Sequence, residues 1–452
     1  MRSFHRLVVV LSFCALTVST QAQNPAENWP QWRGPHRNGT SQTASNLPVA
    51  WSETENVVWK AELPNWAAAT PIIWGDTIFV TSAEPGFTRI TGTTGFDMRR
   101  RPAEQTVTAD KTLLLALDRK TGKERWRAVT GEDNYVINKQ NMATPSPVTD
   151  GRHVWVLTGT GKLSCFDFQG KQIWQRDLVN DYGRFGLNWG YGSSPLWHDG
   201  MLFVQVLHGM KTDDPSYVLR IDPQTGKTLW RVERPTDAIH ESPDSYSTPM
   251  IAQVDGKTRL VVCGAGYVTI HDIDSGKEVS RAGGLDPNKD RAYRTIASAT
   301  VAGDIVLAPS RRRPFIAFRL PASGEGPLEQ LWTTEYGPDV PTPTIDGERL
   351  YIVDDRGILL CVRTSTGEVI WDRDRLEPGT YSASPVLADG KIYATSEEGT
   401  TTVVRASGGF EILAVNKLND YTLASPAVVG ENIYIRTANY LYCLGNKNSS
   451  AD

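Results

Sequence analysis

A pattern of short apolar runs separated by tight-turn residues recurs along the chain. Each copy opens with small residues, usually followed by proline, and continues through a Gly-containing turn, two alternating apolar runs and a Thr-Gly-Lys-like turn before an aromatic residue. The later copies lie 41 to 44 residues apart, and insertions lengthen the earlier ones. The copies begin at eight positions: Ala69, Ala143, Ser193, Ser247, Ala297, Pro341, Ala383 and Ala424.

Each copy predicts four short strands. In the copy that begins at Pro341, the alternation of apolar and polar residues predicts strands at Thr342–Ile345, Arg349–Val353, Ile358–Arg363 and Val369–Asp372. The turns between them contain glycine, which tolerates the positive φ of a tight hairpin. Four antiparallel strands repeated at this period are typical of a β-propeller. The sequence therefore predicts an all-β fold.

The two ends of the chain predict how the ring closes. The last copy, residues 423–444, contains only three strands. The first strand-like segment, residues 56–63, carries Trp59 where other copies carry the tryptophan of their fourth strand. A strand from the N-terminus that completed the last blade would close the ring and remove an exposed sheet edge. We therefore predict an eight-bladed propeller over residues 51–445.

The N-terminus has the features of a secretory signal peptide. A basic stretch with Arg2 and Arg6 precedes an apolar run that is too short to span a bilayer, and small residues end at Ala22. We expect cleavage after about Ala22 and export to the periplasm or cell surface. Phe13 precedes Cys14 where a lipoprotein signal needs a small residue, so lipidation is not expected.

The sequence divides into four predicted segments. Residues 1–22 form the predicted signal peptide, 23–50 an N-terminal extension, 51–445 the propeller and 446–452 a polar tail.

The net charge is −4, so the chain lacks the basic surplus of a nucleic-acid-binding protein. No later stretch is long and apolar enough to predict a transmembrane span.

Four cysteines follow the predicted cleavage site: Cys165, Cys263, Cys361 and Cys443. Their apolar contexts indicate buried free thiols. Because no C-x-x-C-H motif occurs, covalently attached c-type haem is excluded. The histidines show no spacing typical of zinc sites, and no nucleophile elbow is present. We expect no catalytic residues and no metal site.

Tryptophan recurs at the same place in most copies. The predicted fourth strands contain Trp59, Trp126, Trp174, Trp230, Trp332 and Trp371. A large aromatic side chain at a fixed position in each blade most simply packs between adjacent blades. We predict a structural role for these six residues.

The turn before these tryptophans carries a family resemblance. The segments Ala116–Trp126 (ALDRKTGKERW) and Asp222–Trp230 (DPQTGKTLW) resemble the PQQ-like repeat of quinoprotein dehydrogenases and of the BamB outer-membrane assembly factors. The leader Trp29–Pro35 (WPQWRGP) is similar to the opening of exported bacterial proteins of this kind. The resemblance covers nearly all of the predicted mature chain and implies the propeller fold.

The resemblance implies two different functions. Its enzymatic members hold pyrroloquinoline quinone (PQQ) in the central funnel, with a vicinal disulfide stacked on the quinone and a Ca²⁺ held by Glu, Asn and Asp. This sequence contains no adjacent cysteine pair. We therefore expect neither PQQ nor Ca²⁺, although a PQQ-dependent dehydrogenase stays open as an alternative.

Propeller topology predicts where a ligand would bind. The loops leading into the first strands and those between second and third strands emerge together around the channel mouth, and most of the extra length falls there. Functional loops are commonly grafted on one face of a rigid scaffold. The candidate binding residues in these loops are Trp66, Arg99, Arg100, Trp189, Tyr191, Tyr246, Arg294, Arg311, Arg312, Arg313 and Tyr381.

A structural alternative applies to the same residues. The tyrosines could wedge between blades, and the arginines could pair with nearby acids: Asp237, Glu241, Asp286, Asp290 and Asp339. For the face as a whole we expect a binding surface for an envelope protein or a glycan. The predicted function is a non-catalytic docking scaffold at the cell envelope, similar to BamB, built as a monomeric ring. A glycan-binding or glycan-active propeller is the other alternative.

Overall fold

The computed structural model describes residues 24–84, 110–137 and 139–446. It contains eight antiparallel sheets arranged as blades, so the predicted eight-bladed propeller is confirmed. Among the described residues, helix is confined to a 3₁₀ turn at Pro25–Glu27 and to α1 (Leu178–Tyr182). The predicted signal peptide, Arg99, Arg100 and residues 447–452 of the predicted tail lie outside the described residues.

Two strands precede the first blade, and a small hairpin follows it. The N-terminal strands are β1 (Thr40–Ser41) and β2 (Val57–Glu62). Blade 1 contains β3 (Ile72–Trp74), β4 (Thr77–Ala83), β5 (Asp110–Asp118) and β6 (Glu124–Asn134). The hairpin consists of β7 (Val136–Ile137) and β8 (Gln140–Asn141).

The next three blades follow the same plan. Blade 2 contains β9 (Val148–Thr149), β10 (His153–Leu157), β11 (Lys162–Asp167) and β12 (Gln172–Asp177). Blade 3 contains β13 (Leu196–His198), β14 (Met201–Val206), β15 (Tyr217–Ile221) and β16 (Thr228–Glu233). Blade 4 contains β17 (Met250–Val254), β18 (Lys257–Gly264), β19 (Tyr267–Asp272) and β20 (Glu278–Ala282).

The last four blades complete the ring. Blade 5 contains β21 (Thr300–Ala302), β22 (Ile305–Ala308), β23 (Phe315–Arg319) and β24 (Glu329–Thr334). Blade 6 contains β25 (Thr344–Ile345), β26 (Arg349–Val353), β27 (Ile358–Arg363) and β28 (Val369–Arg375). Blade 7 contains β29 (Val386–Ala388), β30 (Lys391–Thr395), β31 (Thr400–Arg405) and β32 (Ile412–Lys417). Blade 8 contains β33 (Ala427–Val429), β34 (Asn432–Arg436) and β35 (Tyr440–Leu444), with β2 as its fourth strand.

Blade 6 shows how closely the repeat pattern predicts the strands. The bounds of β26 and β27 are those predicted, and β28 runs on to Arg375. The first strand begins at Thr344 instead of Thr342. The reason is that the Thr342 amide donates to the Ser384 hydroxyl of blade 7 (2.9 Å) and takes no part in the sheet of its own blade.

The N-terminal strand closes the ring as predicted. β2 lies antiparallel to β35, with Trp59 opposite Cys443 and Glu62 opposite Tyr440. The first strands of neighbouring blades contact one another, and β33 of blade 8 contacts β3 of blade 1. The apolar core therefore lies in layers between adjacent blades around a closed ring, as in the cluster that joins Phe79 of blade 1 to Val154 of blade 2.

The six predicted tryptophans join neighbouring blades. Each indole Nε1 donates to a backbone carbonyl of the next blade: Trp59 to Arg119 (3.0 Å), Trp126 to Phe168 (2.8 Å), Trp174 to Pro223 (2.9 Å), Trp230 to Ile273 (3.2 Å), Trp332 to Thr364 (2.9 Å) and Trp371 to Gly408 (2.9 Å). The glycine of the next blade's turn lies against five of these rings. At Gly122, for example, φ is +72° and a Cβ would lie 2.6 Å from the ring of Trp59, so only glycine fits.

A ring of hydroxyl groups, which the repeat pattern did not predict, joins the first strands. One Ser or Thr per blade belongs to this hydroxyl ring: Thr70, Ser146, Ser194, Thr248, Ser298, Thr342, Ser384 and Ser425. The backbone amide of each of the first seven donates to the hydroxyl of the next, at 2.8 to 3.1 Å. The signal in the sequence is a hydroxyl residue at the same place in all eight copies.

The N-terminal extension packs on the lower face, which carries the turns between first and second strands. We call residues 28–41 the crossing segment because they contact blades on both sides of the ring. Trp29 pairs with Ile73 of blade 1, and the Pro30 carbonyl accepts from Thr149 of blade 2. Gln31 accepts from the Trp197 amide of blade 3. At its far end β1 adds a fifth, parallel strand to blade 7, where only four were predicted.

Arg33 is the centre of this segment. It is 1% exposed, and its guanidinium donates to the carbonyls of Pro385 (2.6 Å), Pro343 (2.7 Å) and Asn38 (3.1 Å). Pro385 and Pro343 directly follow the hydroxyl-ring residues of blades 7 and 6 in the sequence. Burial lowers the pKa of Arg33 to about 9, so the side chain remains charged at neutral pH. The Trp-Pro-Gln-Trp-Arg-Gly-Pro leader thus has a structural role across the lower face.

Candidate arginine rim on the upper face

The upper face carries the loops that lead into the first strands and the loops between second and third strands. Four arginines from two such loops of blade 5 lie there. Arg294 precedes β21, and Arg311, Arg312 and Arg313 lie between β22 and β23. We call these four residues the arginine rim. The structure brings together all the predicted arginines that it describes.

The rim arginines face aspartates at distances beyond ordinary hydrogen bonds. Arg311 lies 3.7 Å from Asp290 and 3.9 Å from Asp339, and Arg294 is also 3.9 Å from Asp339. Asp290 and Asp339 are among the acids with which the arginines were expected to pair if their role is structural. Arg312 has a side chain that is 61% exposed, and it lies 3.6 Å from Asp355.

Arg313 is the least constrained member of the rim. It is exposed, and it forms no ion pair with another residue in the described part of the chain. Exposed ion pairs contribute little to stability. The exposed rim arginines are therefore poorly explained by folding and are available for contacts with a partner.

Neighbouring backbone fixes the loop that carries Arg312. The Arg312 amide donates to the Pro338 carbonyl of the next loop (3.3 Å), and φ of Arg312 is +72°, a left-handed conformation that is uncommon for residues other than glycine. A Cβ at Gly337 would lie 2.8 Å from the Arg312 carbonyl oxygen. The close approach of these two loops requires glycine at 337 and holds the rim arginines on a defined backbone.

A pocket of about 450 Å³ opens beside the rim. Its wall combines charged, polar and apolar side chains from the blade 4–5 connection and the rim: Leu285, Asp286, Pro287, Asn288, Asp290, Tyr293, Arg311, Arg312 and Arg313. The volume lies within the range of pockets that bind small molecules or single side chains.

Most of the predicted aromatic candidates pack inside the upper face. Trp66, Tyr191, Tyr246 and Tyr381 are at most 7% exposed. The hydroxyls of Tyr191 and Tyr381 donate to the carbonyls of Gln205 and Glu377. Trp189 is only partly buried, and its indole donates to Glu241 (2.6 Å). These contacts show a structural use for the aromatic side chains. Of these residues, Tyr246 lies next to the rim, because its amide donates to the carbonyl of Thr295 (2.8 Å), which follows Arg294.

Asp244 joins three loops of the upper face. Its carboxylate is buried and accepts hydrogen bonds from the amides of Asn188 (2.7 Å), Gly209 (3.0 Å) and Met210 (3.1 Å). Burial raises the pKa of Asp244 to about 6; the three amides oppose this shift and nearby Glu241 adds to it. The sequence pattern did not single out this residue.

The raised pKa of Asp244 predicts a pH dependence of stability. The folded chain binds the proton of this carboxyl more tightly than the unfolded chain, whose reference pKa is 3.8. This group's contribution to the free energy of unfolding therefore falls as pH rises from about 4 to about 6, by at most about 3 kcal/mol. Denaturant titrations from pH 4 to pH 7 measure it.

Asp244→Asn should remove that part of the slope. Asp255→Asn is the control, because Asp255 lies exposed in a left-handed turn that asparagine also tolerates. A pH profile for Asp244→Asn that ran parallel to that of the unmodified protein would contradict the assignment.

The hairpin formed by β7 and β8, in the connection between blades 1 and 2, contacts blade 7. Lys139 forms a 2.6 Å ion pair with Glu397, which lies between β30 and β31 and is 2% exposed. Glu397 also accepts from the hydroxyls of Ser382 and Tyr421. Sequence analysis missed this contact because the two charged residues are 258 positions apart.

The described residues also bear on metal sites, thiols and membrane-spanning helices. In residues 24–84, 110–137 and 139–446, no group of three or more His, Cys, Asp or Glu side chains is placed to hold a metal ion. The four cysteines of this part are free and buried, as expected. Among these residues, no helix has the length and apolar character needed to cross a membrane.

The comparison with known families agrees with the fold. The model of the family described as outer membrane protein assembly factor BamB matches residues 107–373, which is more than half of the chain. The chain belongs to the BamB family. The resemblance of its turns to the PQQ-like repeat is thereby confirmed.

Curated relatives carry the same family name. The BamB protein of Yersinia pestis is 20% identical over 338 residues, which cover 72% of this chain and 78% of the relative. BamB of Legionella pneumophila (strain Paris) is 30% identical over 90 residues, 20% of this chain and 23% of that protein.

Solved structures of two functional classes share the fold. BamB from Moraxella catarrhalis aligns with a TM-score of 0.60 at 14% identity and covers 86% of this chain and 99% of that one. Quinohemoprotein alcohol dehydrogenase from Comamonas testosteroni aligns with a TM-score of 0.64 at 11% identity and covers 95% of this chain and 82% of that one. A europium-containing methanol dehydrogenase aligns with a TM-score of 0.64 at 11% identity and covers 93% of this chain and 98% of that one. At these identities the structures show a common fold alone.

Proposed function

We propose that this protein is a non-catalytic docking propeller of the cell envelope that binds a protein partner in outer-membrane protein assembly. Membership of the BamB family carries the proposal, because the Yersinia pestis relative, named for outer-membrane protein assembly, aligns along most of both chains. The proposal includes export after cleavage near Ala22 and action as a monomeric ring.

The arginine rim supports the location of the docking site. Arg312 and Arg313 project from a loop whose backbone is held by the Pro338 carbonyl, so little backbone conformational entropy is lost when they bind. Guanidinium groups make paired, charge-assisted hydrogen bonds with carboxylates. A protein partner with acidic side chains matches this surface.

Capture of the partner tests the proposal. After mild crosslinking in its own cells, the mature protein should recover an envelope protein that takes part in outer-membrane protein assembly. Arg312→Glu with Arg313→Glu should reduce this recovery at least tenfold, because the variant repels an acidic partner. The control is Arg363→Glu, at the end of β27 on the lower face, where the side chain is 42% exposed.

Recovery of no envelope protein would contradict the docking role. Equal recovery by the rim variant and the control would contradict the location of the docking site at the arginine rim. A thermal titration with PQQ and Ca²⁺ addresses the dehydrogenase alternative, for which we expect no shift. A ligand at 100 times its dissociation constant would add about 2.7 kcal/mol of stability, and that result would favour a quinoprotein.

A further inference from the structure

The acids beside the arginine rim are already engaged within the fold. Asp286 accepts from the Ser242 hydroxyl (2.8 Å) and from the Asp290 amide (3.1 Å). Asp290 in turn accepts from the Ala292 amide (2.9 Å). These bonds shape the loop between β20 and β21. The two carboxylates in the pocket wall therefore have a structural use that does not depend on the arginines.

The Arg311 guanidinium, by contrast, makes no hydrogen bond within the described part of the chain. Among the described residues, Nε of Arg311 is buried without a hydrogen-bond partner, and so is Oδ1 of Asp339. The nearest carboxylate oxygens lie 3.7 and 3.9 Å from the Arg311 guanidinium. The Nη1 and Nη2 atoms of Arg311 form no hydrogen bond within the described residues, and its side chain is 24% exposed. A carboxylate that approached them to 2.7–2.9 Å would make two parallel bonds, as is typical of Arg–carboxylate pairs.

The rim also presents its charges in a graded order. The Arg311 side chain is 24% exposed, that of Arg312 is 61% exposed, and Arg313 is exposed. One arginine therefore lies inside the pocket while two lie at its opening. Leu285 and Pro287 give the same pocket an apolar wall. A flexible chain with several carboxylates on apolar side-chain stems matches both features.

We propose that this pocket binds an acidic, extended peptide segment, with one carboxylate on Arg311 and further carboxylates on Arg312 and Arg313. The inference rests on the proposed docking function and identifies the part of the partner that the rim recognises. An acidic polysaccharide presents carboxylates on bulky, hydroxylated rings. The apolar wall favours the Cβ and Cγ methylenes of an acidic peptide instead.

Direct binding to the mature protein tests the proposal. The probes are a fluorescent hexaglutamate peptide, hexaglutamine of the same length and polygalacturonate as the acidic polysaccharide. Hexaglutamate should bind, hexaglutamine should bind at least tenfold more weakly, and affinity should fall as salt rises because the contacts are charged. Arg311→Gln with Arg313→Gln should weaken hexaglutamate binding at least tenfold, whereas Arg363→Gln should leave it unchanged.

Controls separate binding from folding. Arg313→Gln alone changes an exposed side chain and should still weaken binding at least threefold with an unchanged denaturation midpoint. Equal binding of the two peptides, or equal loss in Arg313→Gln and Arg363→Gln, would overturn the proposal. Rim-dependent binding of polygalacturonate at higher affinity than hexaglutamate would overturn it in favour of a glycan pocket.

The outcomes also distinguish this inference from the docking function. Capture of an assembly protein that does not depend on the rim arginines, without hexaglutamate binding, would refute the peptide pocket and leave the docking function intact. Rim-dependent hexaglutamate binding without capture of any envelope protein would refute the docking role while the pocket stood.

Discussion

Arg33→Ala should lower the free energy of unfolding by about 3 kcal/mol or more. The change removes the donor to three carbonyl oxygens, of which those of Pro343 and Pro385 are buried contacts in two different blades. It also empties the space of a side chain that is 1% exposed. Equilibrium denaturation in urea, with the slope of the transition compared between variants, measures the effect.

Two further variants define what Arg33 contributes. Arg33→Lys keeps the charge, but a single ammonium cannot reproduce the planar fork, so an intermediate loss is expected. Arg363→Ala removes an exposed arginine of the lower face and should change stability by no more than about 0.5 kcal/mol. If Arg33→Ala unfolded at the same urea concentration as Arg363→Ala, the crossing segment would not be holding the blades together.

Trp59→Ala should destabilise the junction between the two ends of the chain by about 3 kcal/mol or more. The indole lies in β2, donates to the Arg119 carbonyl at 3.0 Å and packs against Gly122 and Tyr434. Because β2 is the fourth strand of blade 8 and pairs with β35, a loss there should open the ring at this junction.

Hydrogen exchange locates that opening. Amides of β2 and β35 should exchange faster in Trp59→Ala, while those of blades 3 and 4 should not. Trp230→Ala is the matched control, because Trp230 makes the same kind of contact with Ile273 and Gly276 inside the ring. Unchanged protection of β2 and β35 in Trp59→Ala would show that closure does not depend on this side chain.

The fold could be predicted from the sequence because its signals are local and repeated. The alternation of apolar residues within each copy gives the strands, and turn glycines give their ends, so β26 and β27 have their predicted bounds. The closing strand was predictable because Trp59 repeats the position of the other interblade tryptophans. The hydroxyl ring was visible in the same repeats, but its long-range bonds were not.

The path of the extension could not be predicted in this way. Residues 24–50 contain no repeat unit, and Arg33 finds its acceptors at positions more than 300 residues away. Nothing in the leader indicates that these acceptors are backbone carbonyls on two different blades. A buried arginine without an acidic partner is also rare enough that the sequence gives no reason to expect it.

The candidate site was predictable only in outline. Loop topology predicts which residues share the upper face, and there Arg294 and Arg311 each lie 3.9 Å from Asp339. It cannot give the direction of a side chain: Tyr191 and Tyr381 turn inward to donate to carbonyls, while Arg313 turns outward. The roles of the rim residues in binding therefore remain predictions.

Site-specific crosslinking in living cells tests the docking role most directly. A photo-reactive amino acid at position 313 should form one dominant adduct with an envelope protein of outer-membrane assembly. The same group at position 363, on the lower face, should form at most a tenth as much. Equal adducts at both positions, or none at 313 while the protein is folded and exported, would contradict docking through the arginine rim.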